Sequence, residues 1–205
     1  MDYDKLFEMV VSDIPLKPEP VCYGITFIAP PGAGKSTIAN IISQKTGLYI
    51  TANDKIRRLV EGVGIDPNEP ENRKLVEKLA NDRTVYMLKN KTSMIIDANM
   101  QFFYESAMNN FKNHDAKLFF VKIDCPEEEI LKRIESRAEN FDKKPENFSR
   151  AVAADYYKYL ERAKTSTFTD DLVLFTIDAN KSLENIEKQV DELINVLKNK
   201  LSEVN

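Results

Sequence analysis

Residues 29–37, APPGAGKST, set two glycines, a lysine and two hydroxyls directly behind the apolar run CYGITFI at 22–28. Those types at that spacing suit a phosphate cradle. Glycine lets backbone N–H groups turn inward, a lysine reaches the outer phosphates of a nucleotide, and the next hydroxyl can join a divalent cation. Pro31, Gly32, Ala33, Gly34, Lys35, Ser36 and Thr37 are therefore the expected nucleotide contacts, with Ser36 as the hydroxyl nearest a metal ion. Loops of the form G-x-x-x-x-G-K-[ST] open on glycine, and here that position is Ala29. One methyl is tolerated there if φ stays negative, and the two prolines that follow stiffen the turn.

Two acids stand where strand-like runs end, Asp54 in TAND and Asp97 in MIIDAN. In an open parallel sheet the carboxyl ends of the strands border the ligand crevice, so both should face the loop. The plain alternative for Asp54 is a helix first-turn acid, and for Asp97 a strand-end turn residue. Arg57, three residues after Asp54, shares its helical face and can hold an anionic part of an acceptor. Arg133 and Arg137, four apart, can aim at one anion, although Glu129 offers Arg133 an ion pair instead. With Arg150 they bracket the polar link NFDKKPENF at 140–148, and residues 138–150 are expected to form a lid.

These side chains need a scaffold, and the hydrophobic periodicity supplies one. YGITFIA, LYITA, SMIIDA, AKLFFVKIDC and LVLFTIDA read as five strands separated by amphipathic helices. The helix after the glycine loop turns Ile38, Ile41 and Ile42 inward and ends at Gly47. The next, from about Asp54, buries Ile56, Leu59, Val60 and Val63. After the turn-rich GVGIDPNEPEN a long helix is expected from about Arg73 to Lys89, then one over 101–112. Pro126 at the first position of the following helix, before three glutamates, starts it well. The last helix places Leu183, Ile186, Val190, Leu193, Ile194, Leu197 and Leu201 on one face. Strand–helix alternation without repeats predicts a three-layer α/β domain at 21–205 around a five-stranded parallel sheet, preceded by an arm at 1–20.

Length and composition exclude several classes. At 205 residues the chain suits one domain, and the large AAA+ or motor ATPases need more. A net charge of −4 and a pI of about 5.3 give no global attraction to duplex nucleic acid. No apolar run approaches the roughly 20 residues of a membrane span, and an acidic first stretch does not read as a secretory signal. A cytoplasmic location is the expectation. The single histidine, His114, reads as a solvated loop residue, which excludes histidine triads and multi-histidine metal sites. Cys22 and Cys125, both in apolar strand-like runs, are expected as buried reduced thiols. A GTPase is set aside because no N-K-x-D base reader is present, and a compact kinase remains.

The succession APPGAGKST, TANDKIRRLVEG, SMIIDANM, FVKIDCPEEEILKRIESR and KPENFSRAVAADYYKYLERA resembles the kinase domain of bacteriophage polynucleotide kinase and its P-loop kinase relatives, zeta toxins among them. The resemblance covers about residues 22–165. It implies a P-loop NTPase fold with a small helical lid, ATP and Mg²⁺ as cofactors, and an acceptor hydroxyl on a nucleotide, a nucleotide sugar or an oligonucleotide 5′ end. It implies that Asp54 is the base, that Arg57 contacts an acceptor phosphate, and that Asp97 and Asn99 form the D-x-N pair. Arg133 and Arg137 become the lid-helix cations, Lys35 a catalytic cation, Asp97 a helper of Ser36 at the metal, and Arg150 the arginine after Pro145. Where the family often has a second acid after the base, this chain has Lys55, and the phosphatase domain of the phage enzyme is absent. A nucleotide-binding switch acting through a protein partner is the alternative, with the arm as its docking element.

Overall fold

The structure is a computed structural model and describes residues 2–139 and 152–203; Arg150, Pro145 and most of the expected lid lie outside the described residues. Strands β1 (Tyr23–Ile28), β2 (Tyr49–Ala52), β3 (Met94–Asn99), β4 (Lys117–Asp124) and β5 (Val173–Asp178) form one sheet in the order β2-β3-β1-β4-β5. All four pairings are parallel, as the strand–helix alternation requires. Strand alternation sends successive side chains to opposite faces. Ile95 of β3 joins the largest core cluster, while its neighbours Met94 and Ile96 join another. On the first face lie α2 (Lys35–Thr46) and α8 (Leu183–Ser202), which touch each other. On the other, α4 (Pro70–Lys89) and α5 (Tyr104–Lys112) give Met87, Leu88 and Phe111 to the cluster of Met94 and Ile96.

The inward isoleucines of α2 are buried, and Gly47 ends that helix in a left-handed turn with φ 74°. Ile56 and Val60 of α3 (Asn53–Gly62) are buried as their spacing predicts. Several boundaries differ from the expectation. The long helix α4 begins at Pro70, inside the stretch expected as a turn, because proline suits a first helical turn. Residues 101–103 form a turn, so α5 starts only at Tyr104. Pro126 stands one place before α6 (Glu127–Glu139), with its carbonyl accepting from the Ile130 N–H at 3.0 Å. Leu183, expected on the inward face of the last helix, is 57% exposed at the first position of α8, next to its Ser182 cap. Cys22 is buried, but Cys125 lies just past the end of β4 and is only half-buried. His114 is half-buried, its Nδ1 2.8 Å from the Asn110 carbonyl.

Residues 3–20 pack against this scaffold. Leu6 and Val10 of α1 (Tyr3–Val11) share a cluster with Ile56, Val60, Val76 and Leu79 of α3 and α4. Each such aliphatic side chain contributes about 1.5–3 kcal/mol by leaving water. Downstream, the Glu19 N–H donates to the Lys91 carbonyl at 2.8 Å, and the Ser93 hydroxyl donates to the Glu19 carboxylate.

Gly24 of β1 faces the ring of Phe111, and a Cβ there would lie 2.5 Å from its Cζ. Gly24→Ala should therefore destabilise the protein by about 1–3 kcal/mol through overpacking. Urea unfolding would show a lower midpoint at unchanged slope, partly restored by adding Phe111→Leu.

Candidate functional site

The glycine loop joins β1, the central strand, to α2. Gly32 and Gly34 take φ of 87° and 106°, a region costly for any side chain. A Cβ on Gly32 would also press to 3.0 Å from Ile130 and Ile134 of α6. Ala29 is buried and keeps a negative φ, so the missing glycine leaves the turn unstrained. Lys35 folds back over the loop, its Nζ donating to the carbonyls of Pro30 at 2.9 Å and Ala29 at 3.3 Å. The ammonium is thus held above the cradle, through backbone atoms that any residue at 29 would offer.

Asp97 stands two residues after Ile95, so strand alternation puts it on the sheet face covered by α2, and its pairing with Ala52 continues the β2–β3 register. Beyond it the β1–β3 register shifts, with Thr26 opposite Ile96 and Phe27 opposite Asn99. Burial raises the Asp97 pKa, the nearby Ser36 hydroxyl and Lys35 oppose the rise, and Asp54 adds to it. Burial likewise pulls Lys35 down to about 8, with Asp97 and Asp54 opposing and Arg137 assisting. Lys35 therefore senses both acids and one arginine of α6 together. The two sequence-expected carboxylates and Arg137 thus all act on the charge of Lys35.

The other expected residues are placed less uniformly. Asp54 is exposed in the first turn of α3, with Ala52 at the cap position, and its Oδ1 lies 3.9 Å from Arg57 Nε. Asn99 turns aside, its Oδ1 accepting from the Gln101 N–H at 3.2 Å. Arg133 and Arg137 separate in role. Arg133 donates to Glu129 at 2.8 Å, to the Ala33 carbonyl of the loop at 3.3 Å and to the Ala179 carbonyl after β5 at 2.8 Å. It clamps the loop between two elements, a contact that its i,i+4 spacing did not reveal. Arg137 carries the field felt by Lys35, and burial followed by Arg133 lowers its own pKa.

The depressed Lys35 pKa has a measurable sign. The folded, ligand-free protein holds this proton less tightly than the unfolded chain. The cost to stability is full below about pH 8 and eases as pH rises from there toward the ordinary lysine range. Phosphate binding needs the ammonium, so nucleotide affinity should be flat up to about pH 8. Above that it should fall, by up to about tenfold per pH unit, with uptake of a proton. Calorimetry in buffers of different ionisation enthalpy measures this; constant affinity from pH 7 to 9.5 without proton uptake would contradict it.

A parallel sheet of this order, with a glycine loop after its central strand and a lysine folded over the loop, defines a P-loop nucleotide-binding protein. The chain belongs to the AAA domain family, whose profile matches residues 25–163. The match shows kinship with AAA domains, which chain length does not exclude. No curated protein sequence matches the chain. Among solved structures, it is similar to a putative kinase from Chloroflexus aurantiacus, with TM-score 0.59 and 17% identity over 84% of this chain and 98% of that one. The APS kinase CysC of Mycobacterium tuberculosis, solved with AMPPNP and APS, gives TM-score 0.57 and 16% identity over 88% and 99%. A gluconokinase from Sinorhizobium meliloti gives TM-score 0.57 and 15% identity over 92% and 100%. At these identities the likeness establishes the fold. No helix among the described residues is long and apolar enough to cross a membrane.

Proposed function

We propose that the protein is an ATP-dependent phosphotransferase that moves the γ-phosphoryl group of ATP to a hydroxyl of a small molecule or nucleotide. One observation carries the reading: Lys35 folds over the glycine loop onto the Pro30 and Ala29 carbonyls, where burial lowers its pKa and Asp97, Asp54 and Arg137 bear on its charge. A donor cradle, an acceptor-side carboxylate and a helix-borne cation then meet at one point, as phosphoryl transfer needs. The solved kinases of like fold support the reading, and two of them are described as acting on, or bound to, small molecules.

In this mechanism the N–H groups from Gly32 to Thr37 and the Lys35 ammonium hold the β- and γ-phosphates. Asp54 accepts the proton of the acceptor hydroxyl, whose oxygen bonds to the γ-phosphorus as the bond to the β–γ bridging oxygen breaks and ADP leaves. Arg137 faces the charge on the transferring group, and Arg57 steadies an anionic part of the acceptor. Ser36 and Asp97 present the hard oxygens that Mg²⁺ prefers. Few protein ligands suit an ion that keeps waters and phosphate oxygens, and the described residues contain no group of three or more His, Cys, Asp or Glu that could form a cage. Bound there, Mg²⁺ supplies positive charge against the β- and γ-phosphate oxygens.

The deciding experiment uses γ-labelled ATP with nucleosides, nucleotide sugars, simple sugars and 5′-hydroxyl oligonucleotides, with Lys35→Ala as control. The pI of about 5.3 leads us to expect label on a small molecule before an oligonucleotide end. ADP release that responds to a protein partner and to no hydroxyl compound would favour a nucleotide-dependent switch.

A further inference from the structure

Beyond the end of β3 the chain turns through residues 101–103 into α5, and this turn walls a cavity of about 370 Å³. The opposite wall comes from the end of α7 (Ala153–Ala163) and residues 165–167. None of its lining residues belongs to the phosphate loop or to the acids and arginines described above. Its volume lies within the range of small-ligand sites.

The chemistry of its walls is specific. The Arg162 guanidinium lies over the Phe102 ring at 4.1 Å and near the Phe103 ring at 5.0 Å. Phe103 is 53% exposed although it lines the cavity. Aromatic rings and a guanidinium plane together form a platform on which flat π systems stack. The rim can read an edge. The Gln101 side-chain oxygen is taken by the Tyr159 hydroxyl at 2.5 Å, which leaves the amide nitrogen as the donor Gln101 can offer. Glu105, also on the wall, supplies acceptor oxygens. A flat ring carrying both acceptors and donors on its edge is a nucleobase.

The cavity is tied to the crevice. The Gln101 N–H donates to Asn99, and the Gln101 carbonyl accepts from the Ser166 hydroxyl at 3.3 Å. Four residues of chain span at most about 14 Å, so Gln101 lies no farther than that from Asp97.

We infer that this cavity binds the base of a nucleoside or nucleotide, which as acceptor presents its hydroxyl to Asp54. The acceptor role rests on the phosphotransferase reading; the binding site does not. The test keeps these apart. With the donor site filled by a non-hydrolysable ATP analogue, cytidine and uridine are titrated against the full chain and followed by saturation-transfer NMR. Ribose and gluconate serve as non-aromatic probes. Saturable pyrimidine binding is expected, weakened about tenfold or more by Arg162→Ala, an exposed position, and by Phe103→Ala. Phosphoryl transfer from labelled ATP is measured in parallel. Pyrimidine nucleosides that fail to bind, or that bind both variants as tightly as the parent, overturn the site. If ribose or gluconate is phosphorylated while nucleosides do not bind, the base site falls and the phosphotransferase reading survives. If nucleosides bind in an Arg162-dependent way but no hydroxyl is phosphorylated, the site stands and that reading falls.

Discussion

Arg137→Ala is expected to slow phosphoryl transfer by about 10³–10⁵ under saturating ATP, the range associated with cations that stabilise this type of transition state. ATP affinity should change far less, because the loop amides and Lys35 hold the donor. Arg133→Ala should show the opposite balance. Its guanidinium joins Glu129 to the carbonyls of Ala33 and Ala179, so its removal loosens the loop and leaves Glu129 without that partner. The expected signs are a raised KM for ATP and a stability loss of about 1–3 kcal/mol, with a smaller effect on the saturated rate. Single-turnover rates and thermal unfolding of the two variants measure the difference. A larger rate loss for Arg133→Ala than for Arg137→Ala would exchange the two roles.

Asp54→Asn is the second large effect. Asparagine preserves the shape and the first-turn position in α3 but cannot accept the acceptor proton. Transfer should fall by about 10²–10⁴, the usual contribution of a positioned general base. Nucleotide affinity should be retained, since Asp54 is exposed and has no hydrogen bond to the loop among the described contacts. Asp97→Asn makes an informative contrast. It removes the negative charge beside Lys35 and Ser36, so both nucleotide affinity and metal dependence should suffer. Asp54→Asn turning over the true acceptor at the parent rate would remove Asp54 from the mechanism.

The donor side of the site was legible in the sequence because it is local. Gly32, Gly34, Lys35 and Ser36 act within one strand–helix junction, and burial and backbone angles match what the motif requires. Asp97 could be placed at a strand end, but the burial that raises its pKa depends on packing between separate elements, which no local pattern encodes. The difference between Arg133 and Arg137 was illegible for the same reason: it is set by carbonyls 100 and 46 residues away. Arg83 is a fuller case. In the middle of α4 it is 2% exposed, and burial draws its pKa down to about 10 against the opposing fields of Tyr49 and Asp13. Those partners come from two distant segments, and the Tyr49 hydroxyl itself donates to Asp13 at 2.9 Å. Leu183 errs in the other direction, since the helical period marks a face without saying how far along the helix that face is covered.

The packing of residues 3–20 bears on the order in which the molecule can assemble. Tyr3 finds Asp82 79 positions later, Glu19 meets Ser93 74 positions later, and Lys17 meets Thr92 75 positions later. Each contact closes a long loop, whose entropy must be spent before the contact returns anything. During synthesis the partners in β2 and α3 emerge first, and those in α4 and at the start of β3 only later. The segment's fastening to α4 and β3 therefore becomes available only after a long stretch of intervening chain.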